Sequence, residues 1–194
     1  MIRGKNIHLR TVRESDLDWY YERVCDVEGT GQYEYYPIFV PSEAVFKRNF
    51  HENGFWDDDH GELLICDQDD HVLGVILFFK AAPYFDGFEI AARIFDVEHR
   101  NRGIITEALA LFTYLLFTLK KVNRLELKIM PANAPSKRVA DKCGYKFEGV
   151  ARGAVFHRGE YRDMEVYSIL RQEAPATLEE ALAKAPSEQS SRQG

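Results

Sequence analysis

The sequence predicts one α/β domain, and three observations carry that reading. Short apolar runs alternate with turn signals on both sides of residue 70, as strands of a sheet do. A longer helical stripe begins just after Gly103, with apolar residues at 108, 109, 112, 115, 116 and 119. Behind it come a strictly alternating strand, a short helix closed by Gly144, and two further strand runs.

In chain order, residues 2 to 10 place Ile2, Ile7 and Leu9 among polar neighbours and read as a first strand. Ser15-Asp16-Leu17-Asp18 reads as a helix cap, followed by a helix from Trp19 to Val24. Gly29 to Pro37 is a tyrosine-rich loop, and Pro41-Ser42-Glu43 opens a helix to about Asn49. Glu62 to Cys66 and Val72 to Phe79 flank Asp67-Gln68-Asp69-Asp70, a hairpin signal. Phe88 to Phe95 is the next strand. Arg124 to Ile129 puts Leu125, Leu127 and Ile129 on one face, as in a half-buried strand. Ser136 to about Cys143 is a short helix, and Lys146 to His157 and Glu160 to Leu170 form the last strands. After Gln172 the composition turns to Ala, Glu, Ser and Pro. This predicts a domain over 1–172 and a polar tail over 173–194, partly disordered, with at most two marginal helical turns from Thr177 to Lys184.

Composition narrows the function. The chain has 194 residues, 45% hydrophobic and 29% charged, enough for a sizeable core. A net charge of −6 argues against nucleic acid as a partner, because phosphate backbones select basic surfaces. No apolar run is long enough to span a bilayer, and no charged start with an apolar run suggests a secretory signal. Cys25, Cys66 and Cys143 have unrelated spacings, so the expectation is a reduced, cytoplasmic protein with neither disulfide nor metal site.

The segment Arg100-Asn101-Arg102-Gly103-Ile104-Ile105-Thr106 has the chemistry of an anion cradle. The first turn of a helix leaves N–H groups without partners and carries the positive end of the dipole. Gly103 lets an anion approach the backbone, and two arginines add charge. The dipole contributes about 0.3–1 kcal/mol per charge, and each charge-assisted hydrogen bond about 1.5–3 kcal/mol. Taken alone, such a turn fits a solvated loop equally well. It is neither a Walker A loop nor a dinucleotide fingerprint, because the lysine and the further glycines are missing.

The order of the motifs is more telling. Arg100-x-x-Gly103-x-Ile105-x-Glu107-Ala108 is followed by Asn133-x-x-Ser136, by Gly144-Tyr145-x-x-Glu148-Gly149, then by Tyr161-Arg162-Asp163 and Tyr167. Over Asn6 to Leu170 this resembles the GNAT superfamily of N-acetyltransferases, more narrowly its RimJ/RimL-type branch. The resemblance implies a central mixed, mostly antiparallel sheet of about seven strands with about four helices. Strands 4 and 5 splay apart to admit the pantetheine arm of acetyl-CoA. It implies backbone contacts to that arm from Phe95 and Val97, pyrophosphate on Arg100, Asn101, Arg102, Gly103, Ile104, Ile105 and Thr106, and a hydrogen bond from Asn133. Ile105 departs from the superfamily's Gly or Ala and reads as a mark of the branch.

The implied activity is acetyl transfer to a primary amine by direct attack in a ternary complex. Such transfer needs a neutral amine, a polarised thioester and a proton for the departing thiolate. A tyrosine often supplies that proton in the family, but Ala140 holds its expected place; Ser136 matches the serine proposed for RimL-like relatives. Ser136 is also a good helix N-cap. Glu89 is the candidate base, on a strand whose register decides whether it faces the cleft or solvent. A lysine-like amine with pKa about 10.4 costs roughly 4–5 kcal/mol to present neutral at pH 7, an α-amine near 8 about 1 kcal/mol. Without a strong base, the reading leans toward weakly basic amines. Val155 stands where RimL-like enzymes carry a glutamate, which favours a small-molecule amine over a protein N-terminus. Tyr33, Tyr35 and Trp56 are expected to line the acceptor cleft. Asp57 to Asp59 read as a solvated turn, and Asp163 as structural. A homodimer is compatible with this picture. A catalytically silent acyl-CoA-binding sensor or partner module is the alternative.

Overall fold

The computed structural model describes residues 1–26, 31–33, 42–80, 82, 84 and 86–183. Eight strands form one sheet: β1 (Ile2–Arg3), β2 (His8–Arg10), β3 (His60–Cys66), β4 (Val72–Phe79), β5 (Gly87–Ile94), β6 (Arg124–Ile129), β7 (Lys146–His157) and β8 (Glu160–Leu170). Their spatial order is β1-β2-β3-β4-β5-β6-β8-β7. All neighbours are antiparallel except β5 and β6, which run parallel. The helices are α1 (Leu17–Cys25), α2 (Glu43–Asn53), α3 (Ile104–Leu119), α4 (Ala134–Lys142) and α5 (Leu178–Ala183).

The sheet has eight strands where the sequence suggests seven, because residues 2 to 10 make two strands joined by a turn. Gly4 N–H bonds the Ile7 carbonyl at 2.8 Å, and Ile2 pairs with Leu9. The turn is held from α3: the Glu107 carboxylate accepts Asn6 N–H and Asn6 Nδ2, both at 2.9 Å. Glu107 is 1% exposed, so this acidic residue of the helix motif serves the fold.

Strand alternation sorts the core into two layers. Leu63, Ile65, Ile76, Phe78, Phe88, Ile90 and Leu125 face α3. Leu64, Cys66 and Val75 face Leu17 and Tyr20 of α1 and Phe46 of α2. Helix α3 is apolar almost all round; fully buried Phe112 and Leu116 each contribute about 2–3 kcal/mol by leaving water. Local chemistry sets the ends of α2. Ser42 accepts Val45 N–H at 3.4 Å, and Gly54, at φ 65°, donates its N–H to Phe50 at 2.6 Å. The start of the expected tail also packs. Leu178 and Leu182 lie on the α3 layer, and Ala181 is wholly buried.

The β3–β4 turn is pinned by one carboxylate. Asp70 receives His8 Nε2 and Arg10 Nε at 2.9 Å on one oxygen and Arg13 Nη1 at 2.6 Å on the other. Arg10 also binds Asp16 at 2.7 Å, which ties the start of α1 to the same hub. The Arg13 guanidinium, then His8 and Arg10, hold the Asp70 carboxyl well below the usual carboxylate range.

Two outcomes follow from these contacts. Glu107→Ala strands the Asn6 donors and should lower unfolding stability by about 2–4 kcal/mol in urea titrations. A loss under 0.5 kcal/mol would remove the staple from the account. A depressed carboxyl stabilises the fold above the unfolded pKa near 3.9 and loses that contribution as pH falls through its folded value. Asp70→Asn should therefore lower the urea midpoint at pH 7, with the gap to the parent protein narrowing below about pH 4. A gap constant down to pH 3 contradicts the hub.

Candidate active site

Strands β5 and β6 pair for three residues only, Gly87 with Arg124, Phe88 with Leu125 and Glu89 with Glu126. The close approach there needs a glycine: a Cβ on Gly87 would come within 2.7 Å of the Arg124 carbonyl oxygen. Beyond Glu89, β5 stays paired to β4 as far as Ile94, but its other edge has no strand partner among the described residues. Phe95 N–H bonds the Leu73 carbonyl at 3.1 Å, so its backbone turns toward β4. In an extended strand the alternate residues, Ile94 and Ala92, then turn their backbone groups into the gap. Such an edge is a template for an extended guest.

Phe95 and Val97 therefore have less to offer than expected. The Phe95 N–H is taken by Leu73 and the Val97 carbonyl by Arg100 N–H at 3.1 Å, leaving the Phe95 carbonyl and Val97 N–H. Val97 is 72% exposed at the open end of the gap.

The cradle lies at that same end. Val97–His99 makes a single 3-10 turn, Arg100 is extended, and Asn101 adopts φ 61°. Gly103 is the N-cap of α3 in the left-handed conformation, φ 77° and ψ 0°, where a side chain is strained. The first helical bond runs from Glu107 N–H to Gly103 O at 3.0 Å, and no side chain caps the end. The N–H groups of Ile104, Ile105 and Thr106 thus lack helical acceptors and carry the dipole's positive end. Asn101 and Arg102 are exposed, Arg100 is half-buried with Nη2 3.4 Å from the Ile94 carbonyl, and Gly31 lies beside its guanidinium. Ile105 packs its side chain against the core around α3, away from the helix start.

Helix α4 borders the gap from the β6 side. Its N-cap is Asn133, whose Oδ1 accepts Ser136 N–H at 3.2 Å. Ser136 does not open the helix, as the sequence suggested; it is the third residue. Asn133 is the better-placed cap, and Pro135 fits a first turn that needs no N–H. The Ser136 hydroxyl is thereby spared from capping and sits half-buried. The helix is docked on α3 by Cys143 Sγ to the Thr106 carbonyl at 3.4 Å, and by Tyr145 Oη to Thr113 Oγ1 at 2.8 Å. Burial drives the Tyr145 phenol far above its ordinary range, so it keeps its proton, and its oxygen is engaged with Thr113 inside the core. Ala140 is wholly buried.

Glu89 lies at the fork on the face away from α3. It is 3% exposed, with Lys128 Nζ 2.7 Å from its Oε2. Lys128 escaped the sequence reading, although a signal existed: Arg124, Glu126 and Lys128 alternate with the apolar face of one strand. Of the expected acceptor residues, Tyr33 is half-buried two positions beyond Gly31, and Tyr35 lies outside the described residues. Trp56 is in a different place from that expected. It packs at 5.2 Å on Phe78 and 6.4 Å on Phe112, with Lys120 Nζ over its ring at 5.9 Å, at the C-terminal end of α3. The Asp57 carboxylate closes its own turn, accepting Asp59 and His60 N–H at 2.9 and 2.8 Å. Asp163 accepts Gly153 N–H at 2.7 Å and braces the bulge in β7.

Among the described residues, His8, Cys66 and Asp70 bring donor atoms within 4.8 Å of one another. Arg10 and Arg13 already occupy Asp70, and two guanidinium charges oppose a dication there. Burial pushes the Cys66 thiol up to about 11, away from the thiolate a metal requires.

Known proteins resemble this chain in sequence and in fold. Residues 6–146 match the model of the acetyltransferase (GNAT) domain. The probable N-acetyltransferase YjcK of Bacillus subtilis is 26% identical over 180 residues, covering 88% of this chain and 97% of that protein. The ribosomal-protein-serine acetyltransferase of Escherichia coli is 25% identical over 172 residues, covering 85% and 93%. In fold, the spermidine N-acetyltransferase of Vibrio cholerae, solved with CoA and spermine, superposes with a TM-score of 0.74 at 17% identity, covering 86% of this chain and 96% of that one. With its gap, its uncapped helix and a family match over well more than half its length, this chain belongs to the GNAT family of acetyltransferase enzymes.

Proposed function

We propose that this protein is an acetyl-CoA-dependent N-acetyltransferase acting on a primary amine, with a small-molecule amine favoured over a protein N-terminus. The observation that carries the reading is the short β5–β6 ladder, three residue pairs long, opening toward an uncapped helix N-terminus. An extended pantetheine arm suits the unpaired edge of β5, and a pyrophosphate suits the N–H groups of Ile104, Ile105 and Thr106 with Arg100 and Arg102 nearby. Asn133, whose amide oxygen caps α4, keeps its Nδ2 as the donor assigned to that arm in this reading.

Acetyl-CoA supplies a thioester, an acyl group activated for attack by an amine. The chain's own residues do the rest. Ser136, in the first turn of α4, is the hydroxyl donor for a leaving sulfur, and the helix N-terminus favours negative charge beside it. Glu89 receives the acceptor's N–H at the fork. Val155 pairs with exposed Arg162 on the outer hairpin, so that position supplies no carboxylate, in keeping with a small acceptor. Cys25, Cys66 and Cys143 stand outside any disulfide, as suits a reducing compartment such as the cytoplasm, and no described helix is long and apolar enough to cross a membrane.

Thiol release from acetyl-CoA, followed with spermidine, simple primary amines and a serine-initiated peptide, tests this directly. Turnover with at least one small amine, faster than with the peptide, is expected. Coenzyme A binding without turnover on any amine would make the protein a silent acyl-CoA-binding module. Gly103→Asp should weaken coenzyme A binding about tenfold or more in calorimetry, through a like charge in the cradle. Gly103→Ala, which carries the backbone strain alone, should lose less. Equal affinities for the aspartate variant and the parent protein would move the pyrophosphate elsewhere.

A further inference from the structure

We propose that Lys128 is a positioning residue for the acceptor, fixing the Glu89 carboxylate at the fork of the β5–β6 gap. The inference rests on the acetyltransferase reading and deepens it.

Glu89 and Glu126 stand directly opposite each other where the parallel ladder ends. Two carboxylates so placed repel, and each is nearly buried. Each has its own cation, and both cations come from β6. Arg124 serves Glu126 at 2.7 Å and continues to Glu148 at 2.8 Å, away from the gap. Lys128 is two residues past Glu126, on the same face but on the stretch of β6 that has already left β5. Its ammonium reaches back across the fork to Glu89 Oε2 at 2.7 Å. The carboxylate is 4% exposed and the lysine 32%, so the charge pair has its acid inside and its base at the rim.

A pair serving only to hold the two strands together would sit within the ladder. This one spans the point where the ladder stops. It fixes one oxygen, and hence the plane, of the carboxylate nearest the closed end of the gap. It also places a positive charge beside Glu89, which disfavours a protonated acceptor and favours the neutral amine that attack requires. Lys128 touches neither acyl group nor leaving sulfur in this scheme; it acts through Glu89.

The test is a double-mutant cycle on the intact protein, with an amine that the parent enzyme acetylates. Lys128→Met should lower kcat/KM for the amine by about tenfold while coenzyme A affinity stays within about twofold, and Lys128→Arg should recover most of the loss. Glu89→Gln should also lower kcat/KM, and adding Lys128→Met to it should cost nothing further. The double variant carries no unpaired buried charge, so it answers the question even where Lys128→Met alone folds poorly. Losses that multiply, an unchanged Lys128→Met enzyme, or a loss of coenzyme A affinity equal to that of activity would each overturn the positioning role. A parent protein inactive on every amine overturns the acetyltransferase reading, and this inference with it.

Discussion

A strand that runs parallel to its neighbour must keep bonding to it or leave a row of N–H and C=O groups without partners. Strand β5 changes course within its eight residues. It bonds β6 from Gly87 to Glu89 and then parts from it, while β4 continues to hold its other edge to Ile94. Bare backbone at the centre of a sheet is costly unless something pairs with it. Almost everything of functional interest is arranged around that stretch of β5, where no strand of the described residues replaces β6. Helix α3 begins at the open end of the gap with its own N–H groups uncapped, α4 flanks it with Asn133 and Ser136, and the Glu89–Lys128 pair closes its far end.

The surroundings keep this gap from collapsing. Helix α3 is buried along most of its length against the sheet, and α4 is fastened to it through Cys143, Tyr145 and Thr113. Gly87 sets how near β5 and β6 approach before they part, since a side chain there would strike the Arg124 backbone. The fork is therefore a product of packing by α3 and α4, with glycine at the start of the short ladder that precedes it. A rigid frame presenting a pre-formed strand slot lets a flexible cofactor arm bind without the protein reorganising.

Much of this was legible in the sequence. Alternation over Arg124–Ile129 and periodicity after Gly103 placed β6 and α3, because burial imposes those periods directly. The turn ahead of α3 stands out only through the order of the later motifs, because glycine and arginine at a helix start fit a solvated loop equally well. Less legible were features decided by partners distant in sequence. Residues 2 to 10 split into two strands because Glu107, a hundred residues away, binds Asn6. Ser136 lost the cap to Asn133, since two good capping residues three apart leave the choice to the chain's entry geometry. Trp56 is expected in the cleft from the segment it belongs to, yet it packs on Phe78 and Phe112 beside Lys120, toward the other end of α3. Lys128 is one of three alternating charged residues of β6, and only the strand register puts Glu89 beside it.

The central claim is that the unpaired edge of β5 and the first turn of α3 together receive the cofactor. Hydrogen exchange measured with and without acetyl-CoA tests it most directly, since both features are rows of backbone N–H groups. The account predicts slowed exchange in peptides covering residues 90–106, with little change in the β7–β8 hairpin. Unchanged exchange across 90–106 at saturating acetyl-CoA, or protection confined to another part of the chain, would contradict it.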